Sequence, residues 1–272
     1  MKNLFYVLLS YLAPLLPRRK PPSLGGRLLT GYGRVNCWAS GGKQALRRDI
    51  CRCAANGVAI YHIEMAGWAD TSAYRLVVGS DERMRETKAL YTFAVGLCRS
   101  FGMWMFVSIV NDNMGSRKYG DPGVPLSKAM SEAADLAACV RNRGKDNVLV
   151  QPVGETQTAA GAAFTAYCLR DLHGFTFVNN AGSRPSSSAG MQHFAWHPFK
   201  TADIAKAPRG ALIVSDTGSI IQELGHGLDG AGKPDHLKAY VAACRKAGAR
   251  AAIYYAFKRR AHDSAAIEAM GA

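Results

Sequence analysis

The chain has 272 residues, 48% of them hydrophobic and 20% charged, which is enough apolar material for one sizeable core and too much for a disordered chain. Lys and Arg outnumber Asp and Glu by 34 to 20, and the net charge of +14 favours anionic surroundings such as nucleic acid, phospholipid or acidic glycan. The basic residues are scattered apart from Arg18-Arg19-Lys20 and Lys258-Arg259-Arg260, and no basic stripe is interleaved with aromatics, so the pattern excludes a specific nucleic-acid groove.

The first element is an apolar run from Leu4 to Leu16. It is shorter than the roughly twenty residues of a spanning helix and suits a signal-peptide core. No small-x-small cleavage pattern follows, and Pro14, Pro17, Pro21 and Pro22 surround the basic Arg18-Arg19-Lys20. Basic residues after an apolar run favour the cytoplasmic side, which argues against simple export. Three readings of residues 1–27 stand together: an atypical signal or anchor, a helix on a membrane or anionic-envelope surface through residues 1–22, and an apolar helix packed on the domain that follows.

From Leu28 onward, short β-rich apolar runs alternate with longer amphipathic ones, the pattern of βα units and a parallel sheet. Strands are predicted at Leu29–Asn36, Val58–Met65, Trp104–Val110, Asn147–Val153, Phe175–Asn179, Gln192–His197, Ala211–Ser215 and Ala251–Ala256. Helices are predicted at Gly42–Ala55, Asp81–Phe101, Leu126–Arg143, Thr158–Leu172 and Pro234–Ala247, from apolar positions three and four residues apart. Gly57, Gly102, Gly144, Gly174 and Gly248 follow these helices as C-terminal stops. Between the fifth and seventh strands the pattern weakens: residues 181–190 are Ser/Gly-rich, and only a short helix near Thr201–Lys206 fits. Eight strands in one chain of this size predict an α/β fold, a (β/α)8 TIM barrel over residues 28–272 with one irregular βα unit. A doubly wound open sheet is the alternative, but Gly31-Tyr32-Gly33 does not open the glycine-rich phosphate turn that fold would carry.

Six of the seven cysteines, Cys51, Cys53, Cys98, Cys139, Cys168 and Cys244, fall on predicted helices. Buried, reduced thiols are the expectation, and with it a protein that folds in a reducing compartment. Cys51 and Cys53 have no second pair at zinc spacing, and the first strand lacks a His-x-His, so no metal and no cofactor are expected.

A (β/α)8 barrel builds its active site where strands end and βα loops begin. Polar and aromatic residues fall at those positions on every predicted strand: Asn36 and Trp38, Glu64 and Trp68, Asn111-Asp112-Asn113, Glu155, Asn179-Asn180, Trp196-His197, Asp216, then Tyr255 and Lys258. Amides and carboxylates match sugar hydroxyls, and Trp and Tyr faces stack on a pyranose ring. Cleaving a glycosidic bond takes two carboxyl groups, one protonated for the leaving oxygen and one ionised to attack or to activate water. Glu155, in Val-Gln-Pro-Val-Gly-Glu-Thr, and Asp216, in Leu-Ile-Val-Ser-Asp-Thr-Gly, follow the fourth and seventh strands and are the chosen pair. Glu64, Trp68, Asn111, Asp112, Asn180, Trp196, His197 and Tyr255 are the candidate substrate-binding residues. Glu64 reads equally as a paired acid in the barrel mouth, Asn111 and Asp112 as turn formers, and Trp68 and Trp196 as packing residues. His62 and His193, inside apolar strands, read as core histidines.

This layout resembles the superfamily of retaining glycoside hydrolases built on the (β/α)8 barrel. The resemblance implies Glu155 as acid/base, Asp216 as nucleophile and a glycan as substrate. Gly154 stands where that family commonly has Asn, and Asp216, one methylene short, where it commonly has Glu; Glu64 and Asp112 are the substitute carboxylates. Two other readings accompany the hydrolase. One is a non-catalytic barrel that binds glycan or serves as a structural component of an envelope or phage particle. The other is a barrel for phosphorylated substrates, kept open by Thr217-Gly218-Ser219.

Overall fold

The computed structural model describes residues 2–12, 15, 17–34, 42–66, 81–110, 126–154, 159–179, 191–193, 195–196, 201–207, 209–215, 234–256 and 263–271. The elements follow in the order α1 (Lys2–Tyr11), β1 (Leu29–Arg34), α2 (Gly42–Ala55), β2 (Ile60–Ala66), α3 (Asp81–Phe101), β3 (Trp104–Val110), α4 (Leu126–Arg143), β4 (Val148–Val153) and α5 (Ala159–Asp171). The second half runs β5 (Thr176–Phe177), β6 (Ala195–Trp196), α6 (Thr201–Ile204), β7 (Leu212–Ser215), α7 (Pro234–Lys246), β8 (Ala251–Ala256) and α8 (Asp263–Gly271).

All pairings are parallel, and the eight strands lie in the order β5-β4-β3-β2-β1-β8-β7-β6. Strand β1 sits between β2 and β8, so sequence neighbours are spatial neighbours along the whole sheet, as in a TIM barrel and unlike the reversal of a doubly wound sheet, with β5 and β6 at its two edges. The β5–β6 closure is narrow. Val178 bridges His193, the Asn179 amide donates to the His193 carbonyl at 2.9 Å, and the Gln192 and His193 amides both reach the Phe177 carbonyl, at 3.1 and 3.2 Å. The Gln192 side chain adds a further bond, accepting from the Phe177 amide at 2.7 Å.

Alternation along each strand divides the apolar residues into two cores. Inside the barrel, Leu29, Ile60, Phe106, Leu149, Val178, Leu212, Ala251 and Ile253 form one buried cluster, with Leu24 joined to it. The opposite faces, including Tyr61, Ile63, Met105, Val107, Val150, Ile213 and Tyr254, pack under the helices with Leu46, Leu90, Ala94, Leu136, Phe164 and Leu237. Strand β1 turns glycine inward. A Cβ on Gly33 would lie 2.3 Å from the His62 carbonyl oxygen and one on Gly31 2.8 Å from Ile253, so these glycines serve close strand packing rather than phosphate binding.

The N-terminal ends of the strands are covered by residues 17–28. The Trp104 indole donates to the Pro22 carbonyl at 2.8 Å, and the Arg19 amide donates to the Arg99 carbonyl at 3.0 Å. Arg99, itself buried, donates to the carbonyls of Asp146 at 3.0 Å and Gly144 at 2.8 Å, tying the end of α3 to the turn before β4. In that turn Asn147 adopts a φ of 60° and its side-chain Nδ2 donates to the Arg19 and Met103 carbonyls. The five glycines expected to stop helices all have positive φ, between 69° and 82°. At Gly102 the need is double, because a Cβ would also lie 3.2 Å from the Lys20 carbonyl oxygen.

Candidate functional site

Above the apolar layer of the barrel interior, the inward positions of three adjacent strands change from apolar to polar. His62 and Glu64 follow Ile60 on β2, Ser108 follows Phe106 on β3, and Gln151 follows Leu149 on β4, each at a spacing of two. All four side chains are buried. Three of them form a chain across the strands. His62 Nε2 lies 3.1 Å from the Ser108 hydroxyl, Ser108 donates to Gln151 Oε1 at 2.6 Å, and Gln151 Nε2 donates to the Asn179 carbonyl at 2.9 Å. Because Ser108 has one proton and gives it to Gln151, its oxygen accepts from His62, which places a proton on Nε2 of the imidazole. The imidazole also packs on Phe106, with ring centroids 4.7 Å apart. Glu64 brings a carboxyl group, 5% exposed, to the next level toward the strand ends.

This layer is the floor of the mouth formed by the C-terminal strand ends. The backbone of β4 ends at Val153, two residues before Glu155, and that of β7 at Ser215, immediately before Asp216. Glu155, Asp216, Trp68, Asn111, Asp112, Asn180 and His197 lie outside the described residues. Trp196 lies on β6 in register with Ile213, and Tyr255 on β8 in register with Gly33. Of the candidate side chains, Glu64 is therefore the one whose surroundings are described, and it stands in the polar layer with His62.

Sequence reasoning passed over Ser108 and Gln151. The signal was present: in Phe106-Val107-Ser108 and Leu149-Val150-Gln151 a polar residue takes the inward position two after a large apolar one. His62 is a core residue as expected, but a hydrogen-bonded one in the interior of the barrel. His193 differs. It is half-buried, its Nδ1 lies 3.1 Å from the Arg250 guanidinium, and burial first, then the Arg250 charge, lowers its pKa from 6.5.

The six described cysteines are free thiols. Burial raises the pKa of Cys98 and Cys168, and pushes that of Cys244 up to about 12, so these sulfurs stay protonated and unreactive at neutral pH. Among the described residues no three His, Cys, Asp or Glu side chains converge as a metal site.

The strand order and the inward polar layer define the class by fold: an α/β protein of the (β/α)8 barrel type. Among solved structures, a protein described as a glycoside hydrolase matches with a TM-score of 0.54 at 7% identity, over 88% of this chain and 65% of that one. A glycoside hydrolase of family 5 from Bacteroides vulgatus ATCC 8482 matches with the same TM-score at 9% identity, over 88% of this chain and 62% of that one. The chain thus spans less than two-thirds of either structure, and the similarity is one of fold. No family model matches the sequence, and no curated protein does.

Proposed function

We propose that the chain is a glycoside hydrolase acting on a polysaccharide or cell-wall glycan, with Glu155 as general acid/base and Asp216 as its carboxylate partner. The observation that carries the proposal is the buried polar layer of His62, Glu64, Ser108 and Gln151 under the strand ends from which Glu155 and Asp216 follow directly in the chain. Such a layer gives a mouth that is polar at its floor, held rigid by hydrogen bonds across β2, β3 and β4, as the positioning of a sugar ring requires. Glu64, buried in that layer, binds sugar hydroxyls in this reading and is, with Asp112, the substitute for Asp216. Trp68, Asn111, Asp112, Asn180, Trp196, His197 and Tyr255 complete the proposed substrate contacts.

In this reading Glu155 protonates the departing glycosidic oxygen while the second carboxylate attacks the anomeric carbon or deprotonates a water. A reducing-sugar release screen against bacterial cell-wall and plant polysaccharides tests it. Glu155→Gln is expected to lower kcat by at least about a thousandfold, the sum of lost proton transfer and misplaced charge. Full activity in that variant removes the assignment. A second reading follows from Gly154 and Asp216, which depart from the residues common in such hydrolases: a barrel that binds glycan without cleaving it, in an envelope or phage particle. Retention on a glycan array without any sugar release decides for that reading.

A further inference from the structure

The large hydrophobic side chains exposed among the described residues all belong to one segment: Phe5 at 58%, Leu8 at 60%, Tyr11 at 63%, Leu12 at 51% and Leu15 at 82%. Phe5, Leu8, the adjacent Tyr11 and Leu12, and Leu15 recur about once a turn, so they form a stripe along α1 and the turn after it. The other side of α1 is seated. Ser10 is buried against α2, and at the edge of the stripe the Arg47 guanidinium of α2 stacks over the Tyr11 ring at 4.1 Å. Singly exposed apolar residues need no explanation, but a continuous stripe confined to one helix marks a surface meant to be covered.

The surroundings of the stripe are cationic. Arg47 also lies 5.2 Å from the Phe93 ring, and Phe93 lines a cleft of about 580 Å³ whose other walls carry Lys43, Lys88, Arg143 and one acid, Asp135, paired with Lys88. Beyond Leu15 come Arg18, Arg19 and Lys20, all exposed; Arg18 makes a solvent-exposed pair with Asp146 at 3.3 Å, which is weak in water. Like charge disfavours a second copy of a chain carrying +14 as the cover, and favours an anionic one. At ten residues α1 is too short to span a bilayer, and no described helix is long and apolar enough to do so. We infer that the α1 stripe lies in the interface of an anionic phospholipid bilayer, with the cleft of Lys43, Lys88 and Arg143 taking up phosphate headgroups beside it.

The docking is independent of the glycan reading, because it uses the outer helices and not the barrel mouth. The test is co-sedimentation of the full chain with vesicles of phosphatidylcholine alone and of phosphatidylcholine mixed with phosphatidylglycerol. Binding to the mixed vesicles, weak binding to phosphatidylcholine and loss at high salt are expected. The double variant L8E/L12E, altered only at exposed positions and checked for an unchanged thermal melt, is expected to bind the mixed vesicles at least roughly tenfold more weakly. In a Leu8→Trp variant the indole emission is expected to shift to the blue on adding mixed vesicles. The inference is overturned by any of four results: no sedimentation with mixed vesicles, equal binding by L8E/L12E, an unshifted indole, or a dimer in sedimentation velocity that L8E/L12E dissolves.

Discussion

Gln151 is the residue on which the polar layer turns. Its Oε1 takes the proton of Ser108 and its Nε2 satisfies the Asn179 carbonyl, so one side chain links β3, β4 and the end of the β5 run. Leucine has nearly the same volume, and Gln151→Leu therefore tests the hydrogen bonds and not the packing. Both partners are left buried, and the expected cost is about 2 to 4 kcal/mol in urea unfolding, from two buried polar groups at about 1 to 2 kcal/mol each. Ser108→Ala, which strands both the His62 Nε2–H and Gln151 Oε1, is expected to cost a similar amount, and the double variant S108A/Q151L less than the sum of the two; additive losses would show that the chain carries no such coupling. His193 gives a second prediction, in pH. Its pKa in the folded protein lies below 6.5, so in the interval beneath 6.5 the unfolded chain binds more protons than the folded one. Stability must then rise with pH across that interval, and fall as pH drops through and below 6.5. His193→Gln keeps the backbone seam with Phe177 and is expected to flatten that part of the urea-midpoint profile; an unchanged slope removes His193 as its cause.

Among the elements, the helices and their stops were the most legible part of the sequence, because each has a physical signal confined to a few residues. The boundaries of α2, α3 and α4 follow from apolar spacing closed by Gly57, Gly102 and Gly144, all in the left-handed conformation. What those signals leave out is how one unit is tied to the next. Arg99 sits in the last turn of α3, where a basic residue would be read as dipole compensation at a solvated helix end. Instead it is buried and spans to the Gly144 and Asp146 carbonyls, while its own carbonyl holds the Arg19 amide. Nothing in local periodicity reveals bonds between residues 45 and 47 positions apart. Arg99→Ala is expected to destabilise the protein by about 2 to 3 kcal/mol, the range for charge-assisted bonds to buried carbonyls, and Arg99→Lys, which has no second nitrogen to fork across both, to recover less than half. A loss below about 0.5 kcal/mol, typical of a surface substitution, would return Arg99 to the solvated reading.

At the scale of the molecule, eight strand runs sufficed to read the barrel, since a repeated βα unit leaves few ways to arrange a parallel sheet of that number. The chemistry was less legible for the opposite reason. A catalytic pair is a relation between two loops from strands far apart in sequence, and neither Glu155 nor Asp216 carries a local pattern that fixes its distance from the other. The polar layer was half legible: Glu64 was singled out at a strand end, whereas Ser108 and Gln151 are visible only once the inward parity of β3 and β4 is known. The weak point foreseen between the fifth and seventh strands is where closure is thinnest. The β2–β3 and β3–β4 ladders run over most of each strand, while among the described residues the β5–β6 contact is a single bridge between Val178 and His193 with amide bonds at 2.9, 3.1 and 3.2 Å. A barrel closed in this way should open locally at the seam before it unfolds, because the opening breaks a few backbone bonds and leaves the helix-covered cores intact. Native-state hydrogen exchange is therefore expected to give the Asn179 and His193 amides an opening free energy at least about 2 kcal/mol below that of the Met105, Val107 and Val150 amides. Equal protection across the two groups would mean that the barrel opens only by global unfolding, and that the seam is held by more than its few backbone bonds.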